Sequence, residues 1–358
     1  MRKLFSNIML VAIPALCTGQ FHTVKIPRPS IKVVETQRLG ITDITIDYHS
    51  PAVRGRDVWK DVVASYGDPN LAWRAGANIN TRIRFTTDVR IDGKVLKAGS
   101  YGFHIVTSEE GPWTLLFAHH DNQWGSYYLD KEEHVTLKVD VTPVPTTFSE
   151  QLDYRFINRT DSSVLIALEW GEKRIPFTVS VDLTETVLAN FRYELLGINT
   201  YRWEAWNDAA RWCYDKNVNL EEGLDWANRS INGGYTGFAA NKNFTNLSTK
   251  ARLLLALNRK EELASIIEEL SALRGDLGEV YFFGLFLLES ELSELAEEFF
   301  MNSVEKFGKD NWVMNLGLGQ ARFSAGKKKT GIRTIEKALA LAPENRKQFV
   351  QSILDDVK

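Results

Sequence analysis

Two patterns of hydrophobic and polar positions divide this chain. From about residue 31 to 183, short stretches alternate apolar and polar residues or run apolar between turn residues, as β-strands do. The clearest of these stretches are residues 41–49, 81–91, 134–141, 153–159 and 164–170. Beyond them, apolar residues recur three and four positions apart, which is typical of helices. The sequence therefore predicts a β-rich domain at 31–184 and a helical one at 185–358.

The turns of the first domain predict an antiparallel arrangement. Asp92-Gly93 has the form of a two-residue hairpin turn. One helix is predicted at 57–67, because Val58 and Val62 recur at helical spacing. A parallel sheet would need a helix between successive strands. The predicted fold class is thus an α+β multidomain chain, with an antiparallel β-sandwich or barrel-like domain before an all-α repeat array.

The helical half contains an internal repeat. Phe244, Gly278 and Trp312 lie 34 residues apart, and each begins a helix-turn-helix unit. In the last unit, Gly319 and Ala338 occupy the positions at which the two helices of a tetratricopeptide unit cross closely. Small residues are needed there because they let the two backbones approach. This match predicts a tetratricopeptide-type array.

The other units fit the 34-residue frame less well. In the middle unit Leu285 and Val304 stand at the crossing positions, and Ala296 lies one residue out of register. A helix pair before residue 244 resembles a divergent first unit. The array is therefore expected to hold at least three units, the number that such folds need, since each unit buries its apolar face only against its neighbours.

A family likeness is carried by six motifs of the β-rich half, at residues 47–59, 71–85, 93–103, 113–117, 123–130 and 152–156. The most specific element is WRAGAN, at 73–78. Over residues 30 to 183 the chain resembles an exported bacterial family known only as domain of unknown function 2911. Similar members often carry a C-terminal helical repeat, so the resemblance implies this two-part architecture. It implies no catalytic residues.

The first 19 residues have the three regions of a secretory signal peptide: a basic start, an apolar stretch and small residues. The apolar stretch is shorter than the roughly 20 residues of a spanning helix. We predict cleavage after Gly19, an N-terminal segment at 20–30 and export to the periplasm or cell exterior. The alternative is lipid anchoring at Cys17, which is disfavoured because Leu16 stands where a lipidation motif has a small residue.

Net charge bears on the expected partners, and cysteine content bears on disulfide bonding. The formal charge of −3 becomes −5 when the leader removes Arg2 and Lys3 and no acid. A mildly acidic protein gives no reason to expect nucleic acid or an anionic membrane as partner. No later segment has the length of a transmembrane helix. Only Cys213 remains after cleavage, so no disulfide can form within the chain, and we expect it to be a small core residue.

One set of residues in the β-rich domain has the chemistry of a ligand site. Its members are Tyr48, Arg54, Arg56, Trp73, Arg74 and Asn78, with Gln123 and Trp124 as further candidates. Arginine forks bind carboxylate or phosphate at two points, tryptophan offers a stacking face, and asparagine donates and accepts hydrogen bonds, which would suit an anionic or sugar-like ligand. The alternative is structural: such side chains could satisfy backbone groups in glycine-marked loops. The rule that buried polar groups find partners favours this alternative.

Histidines and nucleophiles give no catalytic signature. His119, His120 and Asp121 could begin a metal site, but neighbours on a strand point to opposite faces, so one ion could bind both histidines only if a loop turned them together. His104 stands at a position expected to be apolar, and the sequence has no nucleophile elbow, zinc-protease motif or phosphate loop. We predict no metal and no cofactor.

Two functions remain open. The first is a non-catalytic binding or assembly protein that uses its helical repeats to hold a protein or peptide. The alternative is a small-ligand-binding protein or enzyme whose site is the arginine, tryptophan and asparagine set of the β-rich domain.

Overall fold

The computed structural model describes residues 26–63, 72–234 and 238–358. The chain divides into two compact units, Met1–Thr186 and Val187–Lys358. The leader predicted at residues 1–19 lies outside the described residues, and so does most of the segment at 20–30.

Ten strands occur among the described residues of the first unit: β1 Ile31–Leu39, β2 Thr42–Ser50, β3 Thr81–Phe85, β4 Val89–Ile91, β5 Lys94–Leu96, β6 Gly99–Val106, β7 Trp113–Ala118, β8 Val135–Val141, β9 Val144–Ile157 and β10 Ser163–Ser180. They form a six-stranded sheet in the order β1-β2-β3-β6-β7-β8 and a four-stranded sheet in the order β5-β4-β10-β9. The pairings within both sheets are antiparallel.

Both sheets contribute to one hydrophobic core. Phe103 and Phe117 of the six-stranded sheet lie 5.5 and 6.2 Å, between ring centroids, from Phe177 of the four-stranded sheet. Strand β2 shows the cause, because every second residue along it is buried while those between are partly exposed. The predicted antiparallel sandwich is confirmed.

The hairpin turn is also confirmed, because Asp92 and Gly93 both have positive φ, 43° and 85°, and join the antiparallel strands β4 and β5.

The helix predicted at 57–67 differs from the prediction in length and type. It occurs as a six-residue π-helix, Val58–Val63, and residues 64–67 lie outside the described part of the chain. Half of its residues are β-branched valines, which disfavour a regular α-helix. The single wide turn buries Val58 and Val63 instead.

In the part of the chain that the structure describes, ten α-helices follow the strands: α1 Leu183–Glu194, α2 Trp203–Lys216, α3 Leu220–Asn232, α4 Phe244–Ala256, α5 Lys260–Ala272, α6 Leu277–Glu289, α7 Ser293–Phe307, α8 Trp312–Ser324, α9 Lys328–Leu341 and α10 Glu344–Asp356. A short 3₁₀ turn, Ile198–Tyr201, precedes α2. Among the described residues, no helix has the length and apolar character needed to cross a membrane.

Helices α2 to α9 pack as four successive helix-turn-helix pairs around one core. In the last pair, α8 and α9 approach closely at Gly319, where an added Cβ would stand 2.9 Å from the backbone nitrogen of Ile335 and 3.1 Å from the carbonyl oxygen of Gly331. Ala338 is fully buried on the same helix as Gly331. These are the close crossings that the tetratricopeptide pattern predicts, and the helical array is confirmed.

The middle pair is offset from the predicted frame. Helix α6 begins at Leu277 rather than Gly278, so it starts 33 residues after Phe244, and Trp312 follows 35 residues later. Helix α5 has 13 residues and α7 has 15. The offset therefore arises from the unequal lengths of the second helices.

This offset corrects the prediction for the crossing positions of the middle pair. The small residue at the crossing is Gly284, not Leu285, because a Cβ on Gly284 would stand 2.2 Å from Cζ of Phe300 on α7. Ala296, predicted to lie one residue out of register, then falls at the position that corresponds to Gly331 of the last unit and is fully buried. Ser303, rather than Val304, then corresponds to Ala338 of the last unit, so the middle unit has small residues at all three of these positions.

Candidate functional site

A cleft of about 260 Å³ in the first unit brings four of the predicted ligand-binding residues together. Arg54, Arg56, Arg74 and Asn78 line it, beside apolar groups that include the ring of Trp170. The first two arginines follow strand β2, and the other two residues precede strand β3. A cleft of this size suits a ligand smaller than the drug-sized molecules that occupy pockets of about 300–1,000 Å³.

The first loop is held by its own backbone and by Arg56. Arg54 has φ 52° and Gly55 has φ 70°, so the chain makes a tight left-handed turn. Arg56 donates from Nε to the carbonyl oxygen of Val53 at 3.0 Å and from Nη2 to that of Ala52 at 2.7 Å. This is the structural role that the sequence allowed for such a side chain.

The second loop is held by Arg74, which is 6 % exposed. Its Nη1 donates to the carbonyl oxygen of Asn78, and its guanidinium carbon lies 5.9 Å from the ring centroid of Trp124. Asn78 has φ 62°, a left-handed conformation that asparagine tolerates. Its Nδ2 is buried and makes no hydrogen bond with any described residue. One amide donor at the cleft is therefore left unsatisfied.

Tyr48 and Trp73 do not line this cleft, because both are buried in the core. The Tyr48 hydroxyl donates to Oε1 of Glu35 at 2.9 Å, and burial is the main cause that raises the pKa of Tyr48. The Trp73 ring stacks on Trp170 at 5.9 Å with an interplanar angle of 12°. The prediction that Trp73 offers an open stacking face is wrong, because the ring is buried, stacked on Trp170 and packed at 5.7 Å against a further tryptophan, Trp59.

Gln123 and Trp124 lie beside the second loop rather than in the cleft. The backbone nitrogen of Gln123 donates to Oδ1 of Asn80 at 2.8 Å, and Ile79 forms a β-bridge with Trp124. The Trp124 ring is half exposed and in contact with Arg74. These two residues position the loop that carries Arg74 and Asn78.

His104, at a position expected to be apolar, is fully buried behind the same loop. Its Nδ1 lies 2.7 Å from Oγ of Ser126, and its Nε2 lies 3.5 Å from Nε2 of Gln123. Burial, and to a smaller extent the positive charge of Arg74, lowers the pKa of His104 to about 4. The imidazole is therefore neutral at pH 7.

A loop does turn His119 and His120 together, with ring centroids 4.5 Å apart, and it adds His134, whose ring lies 3.9 Å from that of His120. The third histidine joins because strands β7 and β8 are antiparallel and pair Ala118 with Val135. The sequence pattern missed His134 because it is distant along the chain. Even so, no three His, Cys, Asp or Glu side chains of the described ranges are arranged to hold a metal ion.

A second, larger cleft of about 1340 Å³ was not predicted. Trp59 and Trp113 line it, with Phe148, Lys60 and Lys173 among the other side chains. The two tryptophan rings lie 5.3 Å apart. The π-helix supplies the first of them, and the mixture of apolar, basic and acidic groups around this cleft favours no single ligand chemistry.

In the second unit, Arg252 of helix α4 lies among aromatic rings of two other helices. Its guanidinium carbon is 4.2 Å from the ring centroid of Phe286, 5.8 Å from that of Phe283 and 5.9 Å from that of Tyr214. Burial is the main cause that lowers the pKa of Arg252, and its Nε makes no hydrogen bond with a described residue. Asp215, whose charge acts on it, is itself paired with another arginine.

Comparison with known proteins finds one family model that matches the β-rich domain. Residues 30–179 match the family described as "Protein of unknown function (DUF2911)", which confirms the resemblance of the β-rich domain. No curated protein gives a significant match.

Thirteen chains of solved structures match as well. One, titled "Crystal structure of MamA", is 12% identical, with a TM-score of 0.31, and the match covers 42% of this chain and 84% of that one. Another, "MamA 41-end from Desulfovibrio magneticus RS-1", is 18% identical, with a TM-score of 0.28 and coverage of 45% and 88%. Scores this low carry no inference about function.

Proposed function

We propose that this chain, whose residues 30–179 match a family of unknown function, is a non-catalytic binding protein that holds a segment of a partner protein on its helical repeats. Stacked helix pairs commonly use one row of helices as a binding surface for peptides. The observation that carries the proposal is the Arg252 site. It is a cationic and aromatic site built from three successive first helices, and the nearby Asp215 is already paired with Arg211.

The chemistry of the site favours an acidic group as ligand. Burial of the Arg252 guanidinium has a desolvation cost that the aromatic rings, a hydrogen bond with Tyr214 and the charge of Asp215 only partly offset, and no described residue accepts a hydrogen bond from its Nε. A carboxylate would accept a charge-assisted hydrogen bond there, in surroundings where such bonds are stronger than in water. The Phe286 and Tyr214 rings would exclude water from the pair.

Helix α6 also carries an exposed apolar side chain, Phe282, one turn before Phe286. Phe282 precedes Phe286 by four residues, so the two rings share one face of the helix. Phe282 is 66% exposed, although it is one of the largest apolar side chains in the array. An exposed ring one helical turn from a ring that contacts Arg252 suits a peptide that places an acidic residue near an apolar one.

A peptide-display selection on the full chain tests this proposal. We expect enriched peptides to share an acidic residue next to an apolar one. The Arg252→Gln variant should bind them about tenfold more weakly, since a hydrogen bond between charged groups contributes about 1.5–3 kcal/mol. The matched control is Arg333→Gln, because Arg333 is an exposed arginine on the second helix α9.

Two results would contradict the proposal. One is the failure of any peptide family to be enriched on the folded chain. The other is equal weakening of the selected peptides by Arg252→Gln and Arg333→Gln. Far-ultraviolet circular dichroism of both variants separates loss of binding from loss of helices.

Export is the second part of the proposed function, and residues 1–19 support it. A protein released into the periplasm or to the cell exterior should begin at Gln20. N-terminal sequencing of the chain purified from its native cell checks this. A start at Met1 would refute export, and a start at a lipidated Cys17 would favour the alternative of a lipid anchor.

A further inference from the structure

We propose that the 260 Å³ cleft of the β-rich domain binds a small organic oxyanion, a carboxylate or a phosphate ester, independently of the helical array. The cleft is lined by three arginines and one asparagine whose amide donor is unsatisfied. Neither the family match nor the proposed peptide binding assigns it a role.

Charge is the first reason. Three guanidinium groups, of Arg54, Arg56 and Arg74, line the cleft, and no acidic residue appears among its described lining residues. Glu150 accepts a hydrogen bond from the backbone nitrogen of Arg54 at 2.9 Å, and Asp57 follows Arg56 along the chain, but neither of these acidic residues is among the described residues that line the cleft. Three cationic side chains on the wall of one cleft favour an anion as its ligand.

The state of each arginine is the second reason. Arg56 and Arg74 donate hydrogen bonds to carbonyl oxygens of their own loops, and these bonds hold both guanidinium groups in place. Arg54 differs, because its guanidinium makes no hydrogen bond or ion pair with any described residue. A cleft with two anchored cations and one adjustable cation is preorganised for a two-point contact with an oxyanion.

The amide of Asn78 is the third reason. Its Nδ2 is buried, yet no described residue accepts a hydrogen bond from it. Buried donors nearly always have an acceptor, and an unsatisfied one costs free energy comparable to a lost hydrogen bond. An oxyanion bound beside the Asn78 side chain would supply that acceptor.

The rest of the cleft wall is apolar and favours a ligand that has an apolar portion beside its anionic group. Ala52, Val62 and the ring of Trp170 also line the cleft, so an anion with an apolar portion would bury that portion against them. The volume of about 260 Å³ suits a small molecule.

Isothermal titration calorimetry on the full chain tests the inference with three probes: inorganic phosphate, phenyl phosphate and benzoate. We expect saturable binding of at least one organic anion. Arg54→Gln should weaken it about tenfold, since a charge-assisted contact is lost. The matched control is Arg84→Gln, because Arg84 is an exposed arginine on strand β3 of the same domain.

Two substitutions at Asn78 give a second measurement. Asn78→Asp keeps the left-handed turn but replaces the donor by a carboxylate, and should abolish binding. Asn78→Gly keeps the turn and removes only the amide, and should weaken binding less. Thermal unfolding of both variants shows whether the domain remains folded.

Binding of phenyl phosphate alone identifies a phosphate ester as the ligand class, and binding of benzoate alone identifies a carboxylate. The inference is overturned if neither organic anion binds saturably, or if Arg54→Gln and folded Asn78→Asp bind as tightly as the unchanged chain. The same titrations on Arg252→Gln should be unaltered. Failure here would therefore leave the proposed peptide binding untouched.

Discussion

Replacing Gly319 by valine should lower the free energy of unfolding of the helical array by about 3 kcal/mol, the upper end of the range for overpacking a well-packed core. The new Cβ would stand 2.9 Å from the backbone nitrogen of Ile335 and 3.1 Å from the carbonyl oxygen of Gly331. Backbone atoms cannot rotate away as a flexible side chain can. Helices α8 and α9 would have to separate, which opens the core around them.

The control for this prediction is Gly278→Val at the start of helix α6. A Cβ there meets only the side-chain oxygen Oδ1 of Asp276, at 3.2 Å. Urea unfolding followed by the helical circular dichroism signal should show a much smaller loss for this variant. Equal losses of unfolding free energy for the two variants would mean that the close crossing of α8 and α9 does not determine the stability of the array.

Acidification should destabilise the β-rich domain through His104. The pKa of His104 is about 4 in the folded domain and 6.5 for an exposed histidine, so between these values the unfolded chain binds a proton that the folded domain does not. Stability is therefore fully present above pH 6.5 and is lost as the pH falls toward 4. The expected loss is about 3 kcal/mol, from about 1.4 kcal/mol per pKa unit.

His104→Gln isolates this contribution, because glutamine keeps hydrogen-bonding groups near Ser126 but does not titrate. The difference in unfolding free energy between the unchanged chain and the variant should narrow by about 3 kcal/mol from neutral to acidic pH. Curves that stay parallel over this interval would show that His104 is protonated at the same pH in both states.

The sequence predicted the architecture well because both periodicities are strong. The antiparallel sandwich followed from alternating strands, and the array followed from the 34-residue repeat. The frame of the middle unit was placed wrongly by one residue, since helix α7 is two residues longer than α5. The two spacings of 33 and 35 residues average 34, so a fixed 34-residue period fits the outer units and hides the shift of the middle one.

The candidate site was predicted less well, because sequence spacing does not show which way a side chain points. Trp73 forms a β-bridge with Ile105 and exchanges two backbone hydrogen bonds with it, of 2.7 and 2.8 Å. Adjacent residues on extended backbone point to opposite sides. Trp73 therefore enters the core while Arg74 reaches the cleft. The motif grouped the two residues together, and only the fold separates a core tryptophan from a cleft arginine.

The Arg252 site had no sequence signal at all. Its members lie on three helices, and Tyr214 and Phe286 are 72 residues apart along the chain. Apolar residues at helical spacing are expected to be core, and an arginine between them is expected to be exposed. Only the packing of successive first helices places that cation among the rings.

Hydrogen exchange of the full chain with and without a selected acidic peptide tests the central claim most directly. We expect added protection in helices α2, α4 and α6, which carry Tyr214, Arg252 and Phe286, and no such protection in the Arg252→Gln variant. Protection confined to the β-rich domain, or to the second helices α5 and α7, would contradict the claim that the first helices of the array hold the partner.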